Sequence, residues 1–198
     1  MLEYHSAHLP PIENTISTNR WIGRDGSVAF VWDMLYGELP PEYNHCDVFY
    51  ADLPWRTGFQ TFNQRAGITD NRTYRQFMAT VSKIVANVNR PTVLVSGKHA
   101  LDYLPVPTQT EAVQMPGTRQ DALAIFYNLV TGPNWHEIHG LLQQLARTYQ
   151  RVGDFCCGYG SAPRAFAQHG KPFVASDFNP ACIGYIAGNA NNWTPADA

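Results

Sequence analysis

No apolar run in this chain approaches the ~20 residues needed to cross a bilayer. The opening "MLEYHSAHLPPIENT" has no basic start followed by an apolar stretch. The first absence predicts no membrane span, and the second no secretory signal. Cysteine is scarce: Cys46, Cys156, Cys157 and Cys182 are the four, none in a CxxC pair and none beside a His cluster. That argues against zinc or any other metal site and against a disulfide framework, and it fits reduced thiols in a cytoplasm. An excess of one charge is also lacking. The net charge is −2 over 198 residues, so any grip on a polyanion must come from a local patch. Repeats, low-complexity tracts and a domain linker are absent. What is present is a globular composition, 44% hydrophobic and 15% charged, long enough for one core.

Periodicity predicts alternating strands and helices. Val28–Trp32 reads as a strand and Met34–Leu39 as a short helix. Asp47–Ala51 reads as an apolar strand of the buried, parallel kind. Residues 56–71 read as a polar loop. A helix follows through "TYRQFMATVSKIVANV", with Phe77, Val81, Ile84 and Val85 on one face. "TVLVSG" is the next strand, and Glu111–Met115 with Ala122–Tyr127 form a hairpin around Gly117. Helical spacing then runs through Ile138, Leu141, Leu142 and Leu145. Last come a strand, a glycine turn, a helix stopped by Gly170, and a strand ending at Asp177. The expectation is a single α/β domain over 1–198, with helices packed on a mostly parallel seven-stranded sheet. Residues 1–24 are an N-terminal extension and 56–72 a substrate loop.

Two stretches carry chemistry. In "CDVFYADLPWRTGF" an apolar strand ends on Asp52, then Leu53, Pro54 and Trp55. Taken alone, that is a strand end with a turn. In "GDFCCGYGSAPRAFAQHGKPFVASDFNP" Gly158-Tyr159-Gly160 sits where a strand becomes a helix, and Asp177 closes the next strand. Glycines there let a ligand approach the backbone, and an acid about twenty residues on is spaced to meet a ribose diol. The alternative is a tight turn with Asp177 as an ordinary cap. Pro163 occupies the place of a third glycine, and only about twenty residues follow Asp177, so a dinucleotide is the poorer ligand.

Together the two stretches resemble the exocyclic-amine DNA methyltransferases of the permuted (β-type) order, with a D-x-P-W catalytic motif ahead of the cofactor motif. Asp154, Cys157, Gly158, Gly160, Gly170, Asp177, Asn179 and Pro180 match the cofactor motif, and Asp52–Trp55 resembles the catalytic one. "FVWDMLYGELPPEYNHCDVFYADLPW" is similar to the family's opening, with Asp33 in its acidic position. The resemblance spans roughly residues 25 to 185. It implies a Rossmann-like methyltransferase fold and S-adenosyl-L-methionine (AdoMet) as cofactor, with Asp33, Asp154, Cys156, Cys157, Gly158, Tyr159, Gly160, Asp177, Phe178 and Asn179 around it. It implies transfer to the N6 amine of adenine in DNA, with Asp52, Leu53, Pro54 and Trp55 as the catalytic turn. Leu53 replaces a proline whose role is its carbonyl, so Leu53→Pro is expected to be tolerated. Trp32 stands where a glycine usually precedes the acid. "TGPNWHEIHGLL" matches the family's methionine-end motif loosely.

The exocyclic amine is a poor nucleophile, because its lone pair is delocalised into the ring. Asp52 and the Leu53 carbonyl could accept its two N–H groups, and Trp55 could stack on an extruded base. There is no Pro-Cys dipeptide, so a thiolate route to cytosine C5 has no nucleophile in its usual setting. Cys156 and Cys157 read as small buried hydrophobes. No separate recognition domain fits between Asn128 and Trp135, which predicts low sequence specificity. Arg56, Arg65 and Arg72, with Phe59 and Phe62, are the expected substrate contacts, held against the alternative of a solvated loop. Tyr127 is a further candidate, weighed against core packing; Lys98, His136 and His139 read as surface. RNA is the runner-up polymer. A non-catalytic subunit and a small-molecule enzyme are the other readings, and a homodimer is admitted.

Overall fold

A computed structural model of the chain describes residues 19–114, 121–129 and 137–193. The strands are β1 (Arg20–Ile22), β2 (Val28–Val31), β3 (Val48–Asp52), β4 (Thr92–Ser96), β5 (Gln109–Gln114), β6 (Asp121–Tyr127), β7 (Val152–Asp154) and β8 (Phe173–Asp177). The helices are α1 (Phe59–Arg65), α2 (Tyr74–Asn87), α3 (Ile138–Thr148), α4 (Ser161–Gln168) and α5 (Pro180–Asn189). Gly117, Met115, Trp135, His136 and most of the expected N-terminal extension lie outside the described residues.

One eight-stranded sheet has the order β1-β2-β8-β7-β3-β4-β6-β5. β2, β8, β7, β3 and β4 run parallel, and β6, β5 and β1 are antiparallel to their neighbours. The expected count of seven is therefore one short. The extra strand, β1, has three residues, and its Ile22 is 64% exposed, so no apolar alternation marks it. It is held by Trp21, which stacks on Phe173 at 6.0 Å between ring centroids.

The apolar runs of the parallel strands serve two cores. On β3, Val48 and Tyr50 pack with α3, α4 and α5, while Phe49 and Ala51 pack with α1 and α2. Both faces are covered, as a continuous apolar strand requires. α2 begins at a reciprocal Thr73–Gln76 capping box and buries Phe77, Met78, Val81, Ile84 and Val85. α4 follows Gly160, whose φ of +84° is left-handed, and carries Pro163 in its first turn, where an N–H has no helical partner to lose. α5 starts with Asn179 accepting the Ala181 N–H and Pro180 at its first position.

Candidate active site

β7 runs through α4 to β8 on one side, and β3 runs through α1 and α2 to β4 on the other. The chain therefore reverses direction across the sheet between β7 and β3. In open parallel sheets the carboxyl ends of two such strands flank a crevice that receives ligands. Tyr50 of β3 is the register partner of Asp154 of β7, and Asp154 that of Ala175 of β8. Two residues beyond these stand Asp52, Cys156 and Asp177. The two motifs thus meet at one edge, although about a hundred residues separate them in the chain.

Three carboxyl groups share this edge. Asp52 is solvent-exposed as a residue, yet the protein packed around its carboxyl desolvates it and lifts it to about 6. Asp154 is buried, and desolvation pushes it well above the carboxylate range. Its bond from the Cys156 N–H acts the other way, and Asp52 and Asp177 raise it further. Asp177 is also raised by desolvation, opposed by hydrogen bonds from the Asn179 and Gly158 N–H groups. Those bonds are both 2.9 Å, one to each carboxylate oxygen. Asp177 therefore pins the glycine turn to the end of β8.

That turn is built for close approach. Gly158 has φ +48°, and a Cβ placed there would meet nothing within 4 Å. Gly160 faces inward instead, with Trp193 and Ile186 within 3.1 Å of the same hypothetical atom. Tyr159 projects outward, half exposed, its ring edge-on to Tyr185 at 5.3 Å. Cys157 is buried and Cys156 half-buried. Desolvation raises both thiols well above their ordinary value, which leaves them inert. Phe178 and Asn179 follow Asp177, half-buried, and the Asn179 side chain is taken up in starting α5.

Past Asp52, Leu53 is a core residue, 1% exposed, and its N–H donates to the Val95 carbonyl at 2.9 Å. A proline there would lose both, so the expected tolerance of Leu53→Pro is corrected. Pro54 and Trp55 are half-buried, and the Trp55 carbonyl accepts the Gly58 and Phe59 N–H groups that open α1.

The expected loop of residues 56–71 contains α1, and this changes the roles of its residues. Phe59 is 3% exposed and packs on Phe77 at 5.4 Å and Tyr74 at 5.7 Å, so it is core, not a substrate contact. Its bulk buries the one apolar face of a two-turn helix too short to show periodicity. Arg72 is also corrected. Its guanidinium bonds Asp33 at 2.7 Å and Asp70 at 2.6 Å, lies 5.5 Å from the Tyr36 ring, and is 7% exposed. It is committed internally and not offered to phosphates. The hydrogen bonds from Arg72 and Tyr36 hold Asp70 well below the carboxylate range. Asp33, expected at the cofactor, spends its carboxylate on Arg72 and the Leu35 N–H, directly beyond β2. Tyr127 is 6% exposed and donates to the Pro105 carbonyl at 3.0 Å, so it too is core. Arg56, Arg65 and Phe62 remain on the surface, Phe62 46% exposed.

His99 had no place in the sequence reading. The histidine follows β4, and its Nε2 accepts the Arg56 N–H at 3.1 Å. No linear motif marks this pairing, which depends on β3 and β4 being neighbours. A shallow depression at the opposite edge of the sheet is lined by Asn44, Cys46, Arg90 and Tyr149. There the Arg90 guanidinium is taken up by the carbonyls of Tyr43, Asn44 and Cys46. The described residues hold no cluster of three or more metal-ligating side chains and no helix long and apolar enough to cross a membrane.

No protein-family profile and no curated protein matches the chain. Solved structures do. The crystal structure of M1.HpyAVI is similar at a TM-score of 0.52 and 12% identity, covering 83% of this chain and 98% of its own. The M1.HpyAVI–SAM complex is similar at 0.50 and 12%, covering 81% and 98%. A Thermus thermophilus protein described as a DNA modification methylase reaches 0.47 at 11% identity, over 76% and 88%. The chain therefore has the fold of M1.HpyAVI, an α/β domain on one sheet, with Asp52 and the glycine turn on either side of its switch point.

Proposed function

We propose that this chain is an AdoMet-dependent methyltransferase of the permuted exocyclic-amine type, which methylates the N6 amine of adenine in DNA with little built-in sequence specificity. The observation that carries the reading is the meeting of Asp52 with the Gly158–Gly160 turn across β3 and β7. One strand end would hold the acceptor for the amine, and its neighbour the cofactor.

The residues fit AdoMet. No atom crowds the approach to Gly158, so a ligand could lie against the turn, and Asp177 stands beside it for a ribose. Asp52, Asp154 and Asp177 form a carboxyl edge in which repulsion from Asp52 and Asp177 raises Asp154. A cationic sulfonium ligand relieves that repulsion, whereas a pyrophosphate increases it, which favours AdoMet over a dinucleotide. The SAM complex of M1.HpyAVI, on the same fold, supports the same choice. When bound, AdoMet would supply an electrophilic methyl. Asp52 would accept one N–H of the amine and the Leu53 carbonyl the other, stabilising the charge that develops on nitrogen. Trp55 would stack on the base. Asp in the tetrapeptide, where the resembling cytosine enzymes more often carry Ser, favours adenine.

The test is to incubate the protein with methyl-labelled AdoMet and DNA, RNA or free nucleosides, and to identify the product by mass spectrometry. Label in N6-methyladenine from DNA is expected. Label confined to RNA or nucleosides, or no transfer to any of them, contradicts the reading.

A further inference from the structure

We propose that His99 is a positioning residue that fixes the peptide plane after Trp55 and so holds the turn that carries Trp55; this rests on the methyltransferase reading above. The plane between Trp55 and Arg56 is held at both ends. Its carbonyl, from Trp55, accepts the Gly58 and Phe59 N–H groups. Its N–H, from Arg56, donates to His99 Nε2 at 3.1 Å. Rotating this plane changes ψ of Trp55 and φ of Arg56, the torsions that set how the chain leaves Trp55 for α1. Losing the histidine bond frees one end of the plane.

Gly97 makes the arrangement sterically possible. It follows β4, whose Val95 is the register partner of Asp52. A Cβ on residue 97 would lie 2.8 Å from His99 Cε1, 3.0 Å from its Nδ1 and 3.8 Å from Trp55 Cδ2. The two rings therefore converge on one point, from the ends of two adjacent strands. The backbone at Gly97, with φ −74°, suits any residue, so a side chain there would conflict in space with the His99 ring and not in conformation. On its other side His99 rests against Tyr74 at 5.6 Å, and Tyr74 contacts Phe59, Phe77 and Tyr103. The imidazole thus links the core under α2 to the turn carrying Asp52 and Trp55. Because Nε2 accepts, the neutral ring carries its proton on Nδ1.

Gln and Asn variants separate this role from simple packing. In His99→Gln the amide oxygen sits as many bonds from Cα as Nε2 does and can accept the Arg56 N–H. In His99→Asn the side chain is one atom too short. The first readout is amide hydrogen exchange at Arg56, followed by NMR, which needs no activity. The second is the split of kcat and KM for methyl transfer to DNA, with AdoMet affinity measured by calorimetry. Arg56 is expected to stay protected in wild type and His99→Gln and to exchange faster in His99→Asn and His99→Ala. kcat/KM for DNA is expected to fall about tenfold in the latter two, the scale of a small misplacement, with AdoMet affinity within twofold and His99→Gln near wild type. Equal protection in all four proteins, or a His99→Gln as impaired as His99→Ala, overturns the proposal. A wild type that transfers no methyl to any acceptor defeats the methyltransferase reading instead, and the exchange readout still decides the positioning of the peptide plane.

Discussion

Asp177 accepts the N–H of Gly158 at 2.9 Å from one carboxylate oxygen and that of Asn179 at 2.9 Å from the other. The side chain that closes β8 therefore braces the turn that leaves β7. Under the proposed function, cofactor affinity and local order would be coupled through this one carboxylate. Asp177→Ala is expected to weaken AdoMet binding by roughly 1–3 kcal/mol, the range for buried polar groups left unmet, and to lower the melting temperature as well. Calorimetry with AdoMet, and with NAD as the negative control, checks the first effect, and thermal unfolding without ligand checks the second. NAD binding in place of AdoMet would remove the cofactor assignment.

Asp52 gives a pH signature of its own. Desolvation lifts its carboxyl to about 6 from an ordinary value near 3.8. The folded protein then holds this proton more tightly than the unfolded chain does. Ionising Asp52 costs stability, with no cost below about pH 4 and the full cost above about pH 6. Asp52→Asn, which cannot ionise, is expected to melt with wild type at pH 4 and above it at pH 7. A gap that does not widen over that interval contradicts the assigned environment.

Arg65 and Arg72 should behave oppositely on DNA. Arg65 is exposed, and Arg72 is locked to Asp33 and Asp70. Arg65→Ala is expected to reduce the salt slope of DNA binding by about one unit, as for one lost phosphate contact. Arg72→Ala should leave the slope unchanged and destabilise the fold by roughly 1–3 kcal/mol, because the half-buried Asp33 carboxylate loses its partner. Binding titrations across a salt series, beside denaturant unfolding, measure both. A slope change from Arg72→Ala would return that side chain to the interface.

Leu53→Pro is expected to destabilise by roughly 2–4 kcal/mol, since it removes a buried leucine and the hydrogen bond to Val95. Leu53→Met, which keeps both volume and N–H, should cost under about 1.5 kcal/mol. Denaturant midpoints for the pair decide the matter.

The parts legible in the sequence are those with local signatures. β3, β4 and β8 are continuous apolar runs, α2 has a capping box and a clean face, and the glycine turn sits between a strand and a helix. Long-range pairing was not legible. The ion pair between Arg72 and Asp33 joins residues far apart in the chain, so Arg72 read as a free surface cation. Phe59 read as an exposed wedge because α1 is too short for a period to emerge. His99 carried no motif at all. Its use depends on β3 lying beside β4, which only the sheet order reveals. Leu53 read as a bare carbonyl because its side chain enters a core formed by residues distant in sequence.

The central claim is that Asp52 is the acceptor that makes an exocyclic amine reactive beside a bound AdoMet. Single-turnover methyl transfer to DNA by Asp52→Ala, with AdoMet affinity measured on the same sample, tests it most directly. The transfer rate is expected to fall by about two orders of magnitude or more, with affinity within a few-fold of wild type. Near-normal turnover in Asp52→Ala would contradict it.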